Sequence, residues 1–185
     1  MVDKKAEEKQ LIQDMIGYQQ GNLDDFAKLY AALAIPLVRY LWTFVRNTTT
    51  ADDLLQDTFL QIHRARHTYQ PPRPVRPWVY AISRHVALMH LRSARRRKEY
   101  LAGEELPEFP VLPEAEKYGD RATVQRLLAK LPPKAQEVLI LHHLLGLNFS
   151  EVGDVLGVAA GTAKVRAHRA IKVLREQIES EEKAS

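Results

Sequence analysis

The chain has 185 residues, of which 45% are hydrophobic and 27% charged, a formal net charge of +4 and no cysteine, which suits a globular protein of one medium or two small domains. The lack of cysteine excludes disulfides, thiolate metal sites and a cysteine nucleophile. No apolar run approaches the roughly 20 residues of a membrane span, and the start "MVDKKAEEKQ" has no apolar leader core, so a cytoplasmic protein is expected.

Elements follow in chain order. "GNLDDFAKLY" offers Asn22 as a helix N-cap with Asp25 at the third helical position. Phe26, Leu29, Tyr30 and Leu33 continue at helical spacing, and Pro36 is expected to break or kink the path. A further helix is expected to start near Asp52, with acids in its first turn where the dipole favours them. Its core face is Leu54, Leu55, Thr58, Phe59, Ile62 and Ala65; Leu60 points away, among Asp53, Gln56, Asp57, Gln61 and Arg64. A leucine ringed by acids and amides suits a protein-docking patch, although a single surface leucine is also common.

The segment "YQPPRPVRP" (69–77) carries four prolines and reads as an irregular loop, with Pro77 placed as the first residue of the next helix. On that helix Trp78, Ile82, His85, Met89, Arg92 and Arg96 share one stripe. Its apolar members fit a core. The basic loop before it and the arginines at its end fit an unstacked nucleic-acid strand, with bases on the aromatic ring and phosphates on the cations. Residues 58–98 hold ten Lys/Arg and no acid, whereas 99–120 hold seven acids, one lysine and three prolines. The acidic stretch is read as a linker between a first module (8–98) and a second (121–179). It is either a solvated tether or an acidic mimic of phosphates.

In the second module "DRATVQRLLAKL" is expected as one helix, ending at Pro132-Pro133, and "KAQEVLILHHLLG" as the next, ending at Gly146. "NFSEVGDVL" has Asn148 as N-cap, Glu151 completing a capping box, and Leu147 with Val152 as a hydrophobic staple. After Gly157 comes "AAGTAKVRAHRAIKVLRE". There Ala163, Ala167, Ala170, Ile171, Leu174 and Ile178 fall within an arc of about 100°. Opposite lie Val165, His168, Arg169 and Lys172, flanked by Lys164 and Arg166, with Thr162 near the start. This is a helix-turn-helix pattern. A solvated helix face normally mixes both signs, but here no acid stands before Glu176. Exposed Val165 fits a thymine methyl better than water. The fold class expected is all-α, in two small helical domains.

Taken together, Asp53-Leu54-Leu55-Gln56-Asp57-Thr58-Phe59, "PPRPVRP", "WVYAISR" and "RSARRRK" resemble region 2 of bacterial RNA polymerase sigma factors of the extracytoplasmic-function class. "LPPKAQEVLILHHLLGLNFSEVGDVLGVAAGTAKVRAHRAIKVLRE" resembles region 4 of the same class. The resemblance implies that Asp53, Gln56, Asp57, Leu60 and Gln61 grip the clamp helices of the largest subunit of core RNA polymerase, with the second module on its flap. It implies that Tyr69, Arg73, Arg76, Trp78, Tyr80, Ile82, Arg84 and His85 capture the melted −10 element. Many members have asparagine where this chain has His85. Arg92, Arg95, Arg96, Arg97 and Lys98 are expected on duplex phosphates. Thr162, Lys164, Val165, Arg166, His168, Arg169 and Lys172 are expected to read the −35 element. Core polymerase, promoter DNA and an anti-sigma factor, often membrane-attached, are the implied partners; no cofactor, metal or small-molecule substrate is implied. An ordinary helix-turn-helix regulator would leave the acid-and-leucine helix unexplained. A metal enzyme built on His63 and His67, or on His142 and His143, lacks a His-Glu-x-x-His motif and a third ligand.

Overall fold

A computed structural model describes residues 4–101, 128 and 131–182. Those residues are helical, without strands, and the chain divides into two compact units near Tyr100. The linker expected at 99–120 and the helix expected at 120–131 fall, but for a few residues, outside the described range.

The first unit holds four helices: α1 (Lys4–Gln19), α2 (Leu23–Val45), α3 (Thr48–Ala65) and α4 (Val75–Leu101), with a 3-10 turn at Arg66–Thr68. α1 has no counterpart among the expected helices, yet Leu11, Met15 and Tyr18 recur at helical spacing and are all buried. α2 begins at Asn22, whose side chain accepts the Asp24 N–H at 3.0 Å. It runs unbroken through Pro36. A proline inside a helix costs about 3 kcal/mol, but Leu33, Leu37, Tyr40 and Leu41 are buried on either side of it, and full burial of each contributes roughly 1.5–3 kcal/mol. α2 is also long and apolar enough to cross a membrane by length and composition. That corrects the expectation that no such segment exists: Asp24, Asp25, Lys28 and Arg39 interrupt the apolar run without lowering its average enough. In this fold the helix packs against α1 and α3.

α3 starts at Thr48 rather than near Asp52. Asn47 accepts the Thr50 N–H at 2.8 Å, so three threonines of modest helix propensity enter the helix behind a cap. Its buried face is Ala51, Leu54, Leu55, Thr58, Phe59 and Ile62. Phe59 joins an aromatic cluster with Phe26 (centroids 6.0 Å) and Tyr30 (4.6 Å), and Phe26 meets Tyr18 at 4.9 Å.

In the second unit α5 (Pro133–Leu139) widens into a π-helical turn at Ile140–Leu144, followed by α6 (Phe149–Leu156) and α7 (Ala160–Glu182). The widening was not expected. It lets Leu145 N–H reach Ile140 O at 3.0 Å and Leu147 N–H reach Leu141 O at 3.0 Å, with Leu141 and Leu147 buried. The capping box forms as expected: Glu151 N–H donates to Asn148 Oδ1 at 3.0 Å, and Asn148 N–H to Glu151 Oε2 at 2.7 Å. Leu147 and Val152 are both buried beside it. Gly157 ends α6 at φ 67°, in the left-handed region. A Cβ on Gly153 would stand 2.6 Å from the Val158 carbonyl oxygen, so the α6–α7 turn is closed over a glycine.

Candidate nucleic-acid interface

The turn sets the exposure of α7. Ala163, Ala167 and Ala170 are fully buried, three small side chains that hold the helix close to its neighbours, and Ile171 and Leu174 are half-buried. Ile178, expected on the same stripe, is exposed at 39%. On the opposite side Thr162, Lys164, Val165, His168, Arg169 and Lys172 are exposed and Arg166 is half-buried. Val165 keeps 49% of its surface in solvent between cations. Lys172 pairs with Glu176 one turn on at 3.8 Å, an exposed pair of little energetic weight. The array is a basic, acid-free face at the N-terminal half of the second helix of a helix-turn-helix, the part that enters a major groove in that motif.

A second surface lies on the first unit. Gln61 and Ala65 of α3 face Trp78, Ala81, Ile82 and His85 of α4 across an open groove of ≈ 330 Å³. The stripe along α4 is continuous: Trp78 and Ile82 are half-buried, and His85, Met89, Arg92 and Arg96 are exposed. From Trp78 to Arg96 the helix rises about 27 Å. Arg95 is also exposed, while Arg84 is half-buried. Indole and isoleucine thus open into the groove at the head of a stripe that ends in arginines, an arrangement able to take a base face and its phosphates.

Of the expected strand contacts, two are buried and a third is ion-paired. Tyr69 is 3% exposed; its hydroxyl donates to the Arg73 carbonyl, and its ring edge meets Trp78 at 5.6 Å. Burial pushes its phenol up to about 12. Tyr80 is 2% exposed, with its ring against Tyr40 at 5.3 Å and its phenol likewise pushed by burial to about 12. Both rings are scaffold, closed to a stacking base. Arg76 is held by acids of α1, at 2.6 Å from Glu7 Oε2 and 3.7 Å from Glu8 Oε2. Arg73 remains exposed at the loop tip. α4 also starts at Val75, ahead of Pro77, because Glu8 accepts the N–H groups of Val75 and Arg76 (3.2 Å for the latter).

On the far side of α3, Asp53, Gln56, Asp57 and Leu60 are exposed, with Leu60 at 45%. Gln61, expected with them, is half-buried and lines the α3–α4 groove. The histidines weighed as metal ligands have structural partners: His63 Nδ1 lies 2.6 Å from the Tyr18 hydroxyl, and His142 Nδ1 lies 2.7 Å from Leu147 O, with its ring stacked on Phe149 at 4.0 Å. Glu7, Glu8 and Gln19 of α1 were missed altogether. Their partners stand tens of residues away, so no local pattern marks them.

Residues 29–97 match the family model of Sigma-70 region 2, and residues 121–174 match that of Sigma-70, region 4. The chain is 32% identical to the RNA polymerase sigma factor CarQ of Myxococcus xanthus, over 86% of this chain and 92% of CarQ. It is 31% identical to the ECF RNA polymerase sigma factor SigF of Caulobacter vibrioides, over 83% and 87%. Its fold is similar to the sigma factor RpoE of Bartonella quintana, solved with the anti-sigma factor NepR, at TM-score 0.70 and 21% identity, covering 84% of this chain and 97% of that one. With both regions matched in order, and relatives covered almost end to end, the chain belongs to the extracytoplasmic-function class of bacterial RNA polymerase sigma factors, which direct core polymerase to promoters for transcription initiation.

Proposed function

We propose a division of labour between the two surfaces and the α3 face. Module one, residues 8–98 with the start of α1 added, binds core polymerase through Asp53, Gln56, Asp57 and Leu60 on its largest-subunit clamp helices. It captures the melted −10 strand through Arg73, Trp78, Ile82, Arg84 and His85, with Gln61 on the opposite wall. Arg92, Arg95 and Arg96 neutralise duplex phosphates. Module two, residues 121–179, sits on the flap and reads the −35 duplex through Thr162, Lys164, Val165, Arg166, His168, Arg169 and Lys172. Residues 99–120 join the two. Polymerase does the chemistry, and the chain supplies none of its own.

The stripe on α4 carries this reading. A half-exposed tryptophan and isoleucine beside an open groove, ending in exposed arginines, would be a poor core and a costly bare surface, but is a ready platform for an unpaired strand. We further propose that an anti-sigma protein restrains the chain by covering the Leu60 face, so that restraint and polymerase binding exclude each other. The chain acts in the cytoplasm, beside the membrane when that protein is membrane-attached.

Leu60→Asp tests the polymerase face. The expected loss of affinity for core polymerase is about thirtyfold or more, as for a central interface residue worth ~2 kcal/mol. Binding of a −35 duplex, which reads the integrity of module two, should stay unchanged. Wild-type affinity for core would remove the Leu60 face from the interface.

A further inference from the structure

α1 precedes the stretch matched to region 2, which begins at residue 29, yet it holds both ends of the loop between α3 and α4. At the near end, Gln19 Nε2 donates to Arg66 O at 2.6 Å and to Tyr69 O at 2.9 Å, bracketing the 3-10 turn. At the far end, Glu8 Oε1 accepts the first two N–H groups of α4, from Val75 and Arg76. Arg76 Nη2 donates to Glu7 Oε2 at 2.6 Å. Between these anchors the Tyr69 hydroxyl donates across the loop to the Arg73 carbonyl. Glu8 and Gln19 are eleven residues apart on α1, hence within about 20° of each other on the helix and roughly 16 Å apart along it.

The loop needs such outside help. Pro71, Pro72 and Pro74 have no backbone N–H to donate, so it has few bonds of its own. No residue of α1 lines the groove, and its side chains reach the loop from behind. A surface that must order itself on binding loses affinity to that ordering, and one already fixed does not.

We propose that α1 is a positioning brace for strand capture: Gln19 and Glu8 fix the two ends of the 66–76 segment, so that Trp78 and Ile82 at the head of α4 are presented to the −10 strand in a set geometry. The brace rests on the reading of the α3–α4 groove as the −10 site. Glu8 and Gln19 are positioning residues and touch no DNA. Glu7 has a second consequence: by occupying Arg76 it leaves Arg73 as the loop-tip cation for phosphate.

The test uses the full chain with core polymerase and a duplex promoter selected from a randomised pool. Melting is read by permanganate reactivity of −10 thymines, and strand capture by binding of the −10 non-template oligonucleotide. Glu8→Ala and Gln19→Ala are each expected to weaken both about fivefold, the scale of one lost helix cap. Affinity for core polymerase and for a −35 duplex should not change. Glu8→Gln keeps a carbonyl acceptor for the α4 N–H groups and should recover most of the loss. Gln19→Glu cannot donate and should behave as Gln19→Ala. Wild-type melting in the alanine variants, with Trp78→Ala impaired, would overturn the brace and leave the groove standing. If Trp78→Ala were silent as well, the groove reading would fall and the brace with it. Parallel loss of core affinity and melting would show that α1 merely holds the module together, which also overturns a positioning role.

Discussion

Two glycines of the helix-turn-helix separate folding from binding. Gly153 is needed by the fold, since a methyl there meets the Val158 carbonyl oxygen at 2.6 Å, a backbone atom that cannot step aside. Gly153→Ala should destabilise the second unit by about 1–3 kcal/mol, seen as a lower thermal midpoint. Gly161, near the start of α7, is different: an added Cβ meets nothing within 4 Å, and its φ is not left-handed. A helical glycine costs up to about 1 kcal/mol relative to alanine, so the isolated chain gains nothing from it, whereas close approach of a DNA backbone would. Gly161→Ala should leave stability equal or slightly raised while weakening −35 duplex binding. Undiminished duplex binding by that variant would remove the close approach. Contacts within a few residues, such as Asn148 with Glu151 or Asn22 with the Asp24 N–H, were legible in the sequence because spacing alone defines them. The resemblance puts Tyr69 and Tyr80 on the strand, but matching positions do not tell whether a ring is exposed, and both are buried here. The clasp of Glu8 on Val75 spans 67 residues and leaves no trace in either neighbourhood.

Among the elements, α4 and the loop before it link stability to pH. The phenols of Tyr69 and Tyr80 are raised by burial from the ordinary 10.0 to about 12. The folded state therefore holds these two protons more tightly than the unfolded chain does. Their contribution is complete below about pH 10 and is lost as pH rises through about 12, so the first unit should loosen across that window. Tyrosinate absorbance and helical signal should change together there, and Tyr80→Phe should flatten the slope. A slope identical to wild type would contradict the assignment. On the same helix Ser83 is fully buried, and its hydroxyl has no hydrogen-bond partner among the described residues. Burying an unsatisfied hydroxyl costs about 1–3 kcal/mol, so Ser83→Ala should be neutral to stabilising in thermal unfolding. Apart from α1, where elements lie was readable from the 3.6-residue period, but where they begin was not. α3 gained a turn through the Asn47 cap, α4 gained residues through Glu8, and α2 crossed Pro36 because tertiary burial outweighs a local penalty. The π turn after α5 likewise follows from where Leu141 and Leu147 must go, which no local propensity encodes.

For the whole molecule, the uneven charge is the feature that ties fold to function. The net charge of +4 understates two acid-free blocks, one ending on α4 and one running along α7. Charge of that kind supplies affinity for DNA without sequence, and specificity is left to the side chains between the cations. Family and fold class could be read from the sequence because two motif sets occur in one order. The groove could not, since Gln61 and Ala65 on one wall and Trp78, Ile82 and His85 on the other come from different helices. The division of labour is tested most directly by selecting promoters from a duplex pool randomised at both elements, using holoenzyme made with wild-type chain, Arg169→Ala or His85→Asn. Arg169→Ala should relax base preference in the upstream element alone, with a loss of about 1–3 kcal/mol at one position. His85→Asn should change preference in the downstream element alone. A shift in downstream preference from Arg169→Ala, or in upstream preference from His85→Asn, would contradict the account.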